Sequence, residues 1–204
     1  RQQVLDEAQT SQLIREAIEA ATGGDEVQQV SALANRLGIE DWTQDIASLV
    51  AQARGNDIGP DRLRGFATAN ADDLLSHFPQ PLRTSLTQDL TDEIRRALPQ
   101  LRQVAQASGR KNTQGYLQTV EQFDRALRQG NWTWAQWMAL SKAEPEKALI
   151  HLAEPIQMLA RACDAHPQLH ADIRGYLERM FTICATALEH YRQRKLGMGV
   201  VDFT

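Results

Sequence analysis

Residues Leu169–Leu196, LHADIRGYLERMFTICATALEHYRQRKL, decide how the rest of the chain reads. Leu169, Ile173, Leu177, Met180, Cys184, Leu188 and Tyr191 recur at spacings of three and four, which is the period of one helical face carried over about seven turns. A stripe that long has to be covered by other helices. It therefore predicts a multi-helix bundle with a long C-terminal helix. The stripe closes on Arg192, Arg194 and Lys195, which suit the negative end of a helix dipole, and Gly197 and Gly199 are expected to stop the helix.

Earlier segments supply the covering helices. Asp6 and Gln9 form a capping box before a helix carrying Leu13, Ile14, Ala17, Ile18 and Ala21, closed by Gly23-Gly24. Val27, Val30, Leu33, Ala34 and Leu37 predict a second helix ending at Gly38. Asp41 precedes a third, with Trp42, Ile46, Leu49, Val50 and Ala53 inward and an end at Gly55. Pro60 after Gly59 suits the first turn of a fourth, whose Leu63, Phe66, Ala67, Leu74, Leu75 and Phe78 point one way until Pro79 and Pro81. A fifth helix is expected from about Thr87 to Ala107, with Leu90, Ile94, Leu98, Leu101 and Val104 inward and a kink or division at Pro99. Thr113 is expected to cap a sixth that buries Tyr116, Val120, Phe123 and Leu127. Thr133 and Gln136 make a second capping box, with Trp132 and Trp137 at the two positions of a hydrophobic staple, and open a seventh. Pro155 and Pro167 then delimit one or two short helices before the last. No segment alternates with period two, so the fold class is all-α with few or no strands.

Pro79 and Pro81 are the best internal joint, and charge changes across it. Residues 1–80 hold 6 basic and 13 acidic side chains and residues 81–204 hold 16 and 13, within a net charge of −4. The chain thus divides into an acidic N-terminal helical part, 1–80, and a basic-leaning part, 81–204. Overall acidity argues against a nucleic-acid coat but permits a local basic surface. With no run of about 18 apolar residues there is no membrane span, and with no leader and two cysteines at stripe positions a cytoplasmic location with reduced thiols is expected. The limits at Arg1 and Thr204 suggest a piece excised from a longer protein.

The chemistry-bearing motifs are few. No Gly-Lys pair occurs, so no Walker A loop cradles a phosphate, and no catalytic residue is assigned. Cys163, His166 and His170 have spacings that metal ligands use, but Pro167 starts a helix between the two histidines. A capped His pair is the simpler reading, and no metal site is assigned. Asp72-Asp73 and Asp92-Glu93 are adjacent on helices and read as solvated faces. Seven basic residues against two acidic ones lie between Arg95 and Arg128. These residues, Arg95, Arg96, Arg102, Arg110, Lys111, Arg125 and Arg128, are candidates for sequence-independent phosphate contacts, with Arg110 and Lys111 foremost. Trp134 is a candidate platform for base stacking, whereas Trp132 and Trp137 fit core packing.

Both ends of the chain carry a family resemblance. A helix ending Tyr191-x-x-x-Lys195, a glycine-containing turn and Val200-Val201-Asp202-Phe203-Thr204 resemble the approach to the Asp-Phe-x-Asp-Leu stretch of UvrD/Rep/RecB-type superfamily 1 DNA helicases. In that family this stretch lies shortly before the Walker B box, where the chain re-enters the ATPase core from the helical 1B insertion. Val4-Leu5-Asp6-Glu7-Ala8-Gln9 followed by Leu13-Ile14-Arg15-Glu16-Ala17 looks like the entry to that insertion in RecB- and AddA-like members. A Trp-rich short helix leading to the Lys142–Lys147 turn is similar to what those members carry there. The resemblance implies a 1B-like subdomain of an ATP-dependent 3′-to-5′ DNA helicase, with ATP and Mg²⁺ held by a motor core outside these residues. It further implies a DNA single-strand/duplex junction as ligand, a role in DNA repair or recombination, and a partner subunit in a helicase–nuclease complex. A helical protein-interaction module, docking a partner through an exposed Trp134, is the alternative from a different class.

Overall fold

The computed structural model describes residues 3–4, 6–83 and 85–201. The fold is all-α, with a long C-terminal helix. In chain order the elements are β1 (Gln3–Val4), α1 (Glu7–Ala21), α2 (Gly24–Leu37), α3 (Trp42–Gly55), α4 (Pro60–Ser76), α5 (Leu86–Ser108), α6 (Lys111–Gln129), α7 (Trp134–Lys142), α8 (Ile150–Arg161), α9 (Pro167–Met198) and β2 (Val200–Val201). The strands form one short parallel pair, Gln3 opposite Val200 and Val4 opposite Val201. Among the described residues no helix is long and apolar enough to cross a membrane.

The chain builds two compact units. One comprises Arg1–Asn35, Ile39–His77 and Asp172–Thr204, the other Arg36–Gly38 and Phe78–Ala171. The division after His77 falls beside the Pro79–Pro81 joint. Residues from Asp172 onward, however, join the acidic N-terminal part rather than residues 81–171.

In the first unit the helices start where local chemistry starts them. Asp6 Oδ1 accepts the Gln9 N–H at 2.7 Å while Gln9 Oε1 accepts the Asp6 N–H at 3.1 Å, the reciprocal capping box that the sequence announces. Asp41 Oδ1 likewise accepts the Gln44 N–H at 3.0 Å and caps α3. Pro60 occupies the first turn of α4 behind the N-cap Gly59. Helix α3 ends at Gly55 as expected, and the left-handed turn follows at Asp57, φ 51°. Helix α9 runs through Gly197 to Met198 and stops at Gly199, whose φ of 64° suits a residue without Cβ.

Helix α9 is the spine of this unit. Of its predicted stripe, Met180, Cys184, Leu188 and Tyr191 are buried here, but Ile173 and Leu177 are only half-buried. Tyr176, Ile183, Ala185 and Ala187, outside the stripe, are buried as well. Burial of Ile183, Cys184, Ala185, Ala187 and Leu188 within little more than one turn means that the helix is covered on most sides. Polar contacts then tie it to each neighbour. Arg194 pairs with Glu16 of α1, Arg179 with Glu26 of α2 at 3.0 Å and Arg174 with Asp72 of α4 at 2.7 Å, while Glu189 accepts two bonds from Arg64 of α4 at 2.9 and 2.8 Å. The Cys184 thiol donates to the Ile46 carbonyl of α3 at 3.7 Å. The acidic surplus of the N-terminal part is thus met by arginines on the last helix.

In the second unit α5 packs on α6 and α8, and α7 packs on α6 and α8. Pro99 lies inside α5 without dividing it, and Pro155 lies inside α8. Both cysteine thiols are buried, one per unit. Burial pushes Cys184 up to about 12, and burial with the neighbouring Asp164 charge pushes Cys163 up to about 11. A thiolate is the nucleophile, so neither thiol is expected to react with a maleimide near neutral pH until the protein unfolds. Rapid labelling of either in the folded protein would contradict this packing.

Candidate nucleic-acid interface

The basic run of the sequence folds into a helical hairpin. α5 ends at Gly109, at φ 59°, and α6 begins two residues later at Lys111. Gln114 Nε2 donates to the Ala105 carbonyl at 2.7 Å, and Arg102 Nε donates to Glu121 Oε1 at 2.7 Å, so the two helices run antiparallel side by side. Apolar burial fixes which way each faces. Leu90, Ile94, Leu98 and Leu101 of α5 and Tyr116, Val120 and Phe123 of α6 are buried.

That rotation sorts the candidate cations. Arg95 and Arg102 stand seven residues apart, two turns along one side of α5, and Arg102 reaches across to Glu121. On α6, Arg125 and Arg128 follow Glu121 at intervals of four and three, and Lys111, Gln118 and Arg125 recur at seven. Arg95, Arg102, Lys111, Arg125 and Arg128 are all exposed and flank one face of the hairpin. Arg96 is set apart, about 100° round the helix from Arg95, and pairs with Glu93. Arg110 stands at the hairpin tip and pairs with Glu146.

Several of these cations already hold carboxylates. Arg128 pairs with the buried Asp124 at 2.6 Å and Arg102 with Glu121, whereas Arg95, Lys111 and Arg125 have no ion-pair partner among the described residues. The Arg102–Glu121 pair is open to water and such a pair is worth little, about 0–1 kcal/mol, so a phosphate can take Arg102 over at small cost, whereas Arg128 is held more firmly because its release would leave the buried Asp124 carboxylate unpaired. The hairpin face carries glutamines, Gln106, Gln114 and Gln118, and no aromatic ring, because Tyr116 and Phe123 turn inward. It is therefore suited to phosphate contact and hydrogen bonding rather than to stacking.

Two expectations for this region are corrected. Thr113 does not cap α6, whose N-cap is Arg110; it is fully buried in the first turn and its hydroxyl donates to Glu146 Oε2 at 3.0 Å. Trp134 is no stacking platform, being only 4% exposed. Thr133 and Gln136 form the expected capping box, and Trp132 meets Trp137 at 5.4 Å between ring centroids, as a staple requires. The same geometry drives Trp134 inward, where its ring lies 4.7 Å from Trp132 and 5.0 Å from His166.

His166 completes this cluster and has a structural role. Its Nδ1 accepts the Gln168 N–H at 2.9 Å, which leaves the proton on Nε2 to be donated to Thr87 Oγ1 at 2.9 Å. Trp137, fully buried, donates its Nε1–H to the Ala160 carbonyl at 3.0 Å. His170 contacts the Asp164 carbonyl through Nε2 and packs its ring edge against Phe78. Both histidines are thus engaged with backbone, hydroxyl and ring groups. Asp202 and Phe203, the family-motif positions, lie outside the described residues.

No family model, no curated protein and no solved structure matches this chain. Function has to be read from the hairpin and from the motifs at the chain ends.

Proposed function

We propose that this chain is an accessory DNA-contacting helical subdomain of an ATP-dependent 3′-to-5′ helicase or translocase of UvrD/RecB type, acting in DNA repair or recombination. The observation that carries the reading is the α5–α6 hairpin, which gathers Arg95, Arg102, Lys111, Arg125 and Arg128 along one face beside glutamines. Arginines and a lysine at that density neutralise phosphates, and a face without rings or carboxylate-rich pockets reads no base sequence. The parallel pairing of residues 3–4 with 200–201 adds support, because it brings together the entry and exit of a helical insertion. With no Gly-Lys pair in the sequence, ATP and Mg²⁺ would be bound by a motor core rather than by these helices.

The test is a salt titration of duplex and forked DNA binding, comparing wild type with Arg95→Ala/Arg102→Ala/Arg125→Ala/Arg128→Ala. Every phosphate that the variant no longer neutralises should make the slope of log affinity against log salt shallower by about 0.9 on a duplex, so the fourfold variant should be shallower by up to about 3.6 units. Base sequence should matter little. An unchanged affinity and slope would return these residues to a solvated face.

Docking of a partner subunit is the second reading. It no longer rests on Trp134 but on exposed Ile150 and Met158, which line a groove together with Lys142, Pro145 and Gln157.

A further inference from the structure

Arg110 reaches the surface at the hairpin tip yet is not unengaged, because its Nη1 lies 3.4 Å from Glu146 Oε2, the same oxygen that accepts the Thr113 hydroxyl at 3.0 Å. Exposure differs sharply across this pair. The Arg110 side chain is 74% exposed and that of Glu146 only 20%. The carboxylate is therefore fixed from beneath by a buried hydroxyl, while the guanidinium above it is free to swing toward solvent. The segment carrying Glu146 is also anchored independently of the carboxylate. Gln157 Nε2 donates to the Ala143 carbonyl, and the Leu149 N–H donates to the Glu146 carbonyl at 2.8 Å.

We infer that Glu146 is an autoinhibitory anion: it occupies Arg110 in the DNA-free protein and must yield it to a backbone phosphate when the hairpin binds DNA. This rests on the proposed DNA-contacting role of the hairpin. Two effects act in one direction. The ion pair has to be broken for Arg110 to reach a phosphate, and the carboxylate left behind repels that phosphate at short range. At 3.4 Å the Arg110 contact is longer than a well-made charge-assisted hydrogen bond, so exchange is cheap, and Glu146 sets affinity without blocking binding. The Thr113 hydroxyl keeps the carboxylate in place for re-engagement when DNA leaves.

Glu146→Gln keeps the shape and an oxygen to accept the Thr113 hydroxyl while removing the charge. In the salt titration on duplex DNA it is expected to raise affinity about three- to tenfold at low salt, with a salt slope steeper by less than about one unit, because Arg110 meets a phosphate in both proteins but no freed carboxylate takes up a counterion in the variant. The gain should vanish when Arg110→Ala is present as well. Should the amide variant fail to fold, Glu146→Asp withdraws the carboxylate from Arg110 by one methylene, and a smaller rise is expected. Unchanged or weaker binding by a folded Glu146 variant, while Arg110→Ala still weakens binding, would overturn the inference and leave the hairpin's role intact. If neither Arg110→Ala nor the fourfold arginine variant changes binding, the hairpin reading itself is overturned.

Discussion

Trp137→Ala is expected to destabilise the second unit by about 3–5 kcal/mol, the range for removing a fully buried tryptophan. Trp137 has no exposed surface and meets the rings of Phe123, Trp132, Trp134 and His166 at centroid distances between 5.0 and 5.7 Å. Its removal leaves a hole among rings that cannot collapse together, since His166 is held by Thr87 and by the Gln168 N–H. It also deletes the donor to the Ala160 carbonyl. Trp137→Phe retains most of the packing and should cost less, about 1–3 kcal/mol, from the missing hydrogen bond and the smaller ring. Denaturant unfolding followed by circular dichroism measures both. Equal midpoints for wild type and Trp137→Ala would show that the aromatic cluster does not hold this unit together.

Leu188→Ala, in the C-terminal half of α9, is expected to destabilise the first unit by about 2–5 kcal/mol, whereas Glu189→Gln next to it should cost less than about 1 kcal/mol. The contrast weighs the two kinds of contact made by the last helix. Leu188 is 1% exposed, so its truncation leaves a cavity. Glu189 makes two good hydrogen bonds to Arg64, and those bonds hold its carboxyl below the usual range, but both side chains remain about two-fifths exposed to water. Screening there discounts the pair. A larger destabilisation from Glu189→Gln than from Leu188→Ala would mean that charge pairing, and not apolar burial, holds α9 in place.

The sequence by itself determined what depends on residues a few positions apart. The boxes at Asp6–Gln9 and Thr133–Gln136, the cap at Asp41 and proline at the first turn of α4 are interactions within about one helical turn, and each appears where the residues place it. Tertiary structure alone decided which helices met. Arg194 finds Glu16 across 178 positions and Glu189 finds Arg64 across 125, pairings that carry no local signature, and they set α9 from Asp172 onward with the acidic helices. Trp134 is indistinguishable as a pattern from an exposed aromatic platform until Trp132 and His166 close around it. Thr113 has the residue type of a cap, but the chain turned one residue after Gly109 and left its hydroxyl to bind Glu146, 33 positions away. The basic run was legible as composition. Only the rotation fixed by the buried faces of α5 and α6 separated Arg96 from the cations that share one face, because a helix shows its charges in whatever direction packing of its apolar side leaves open.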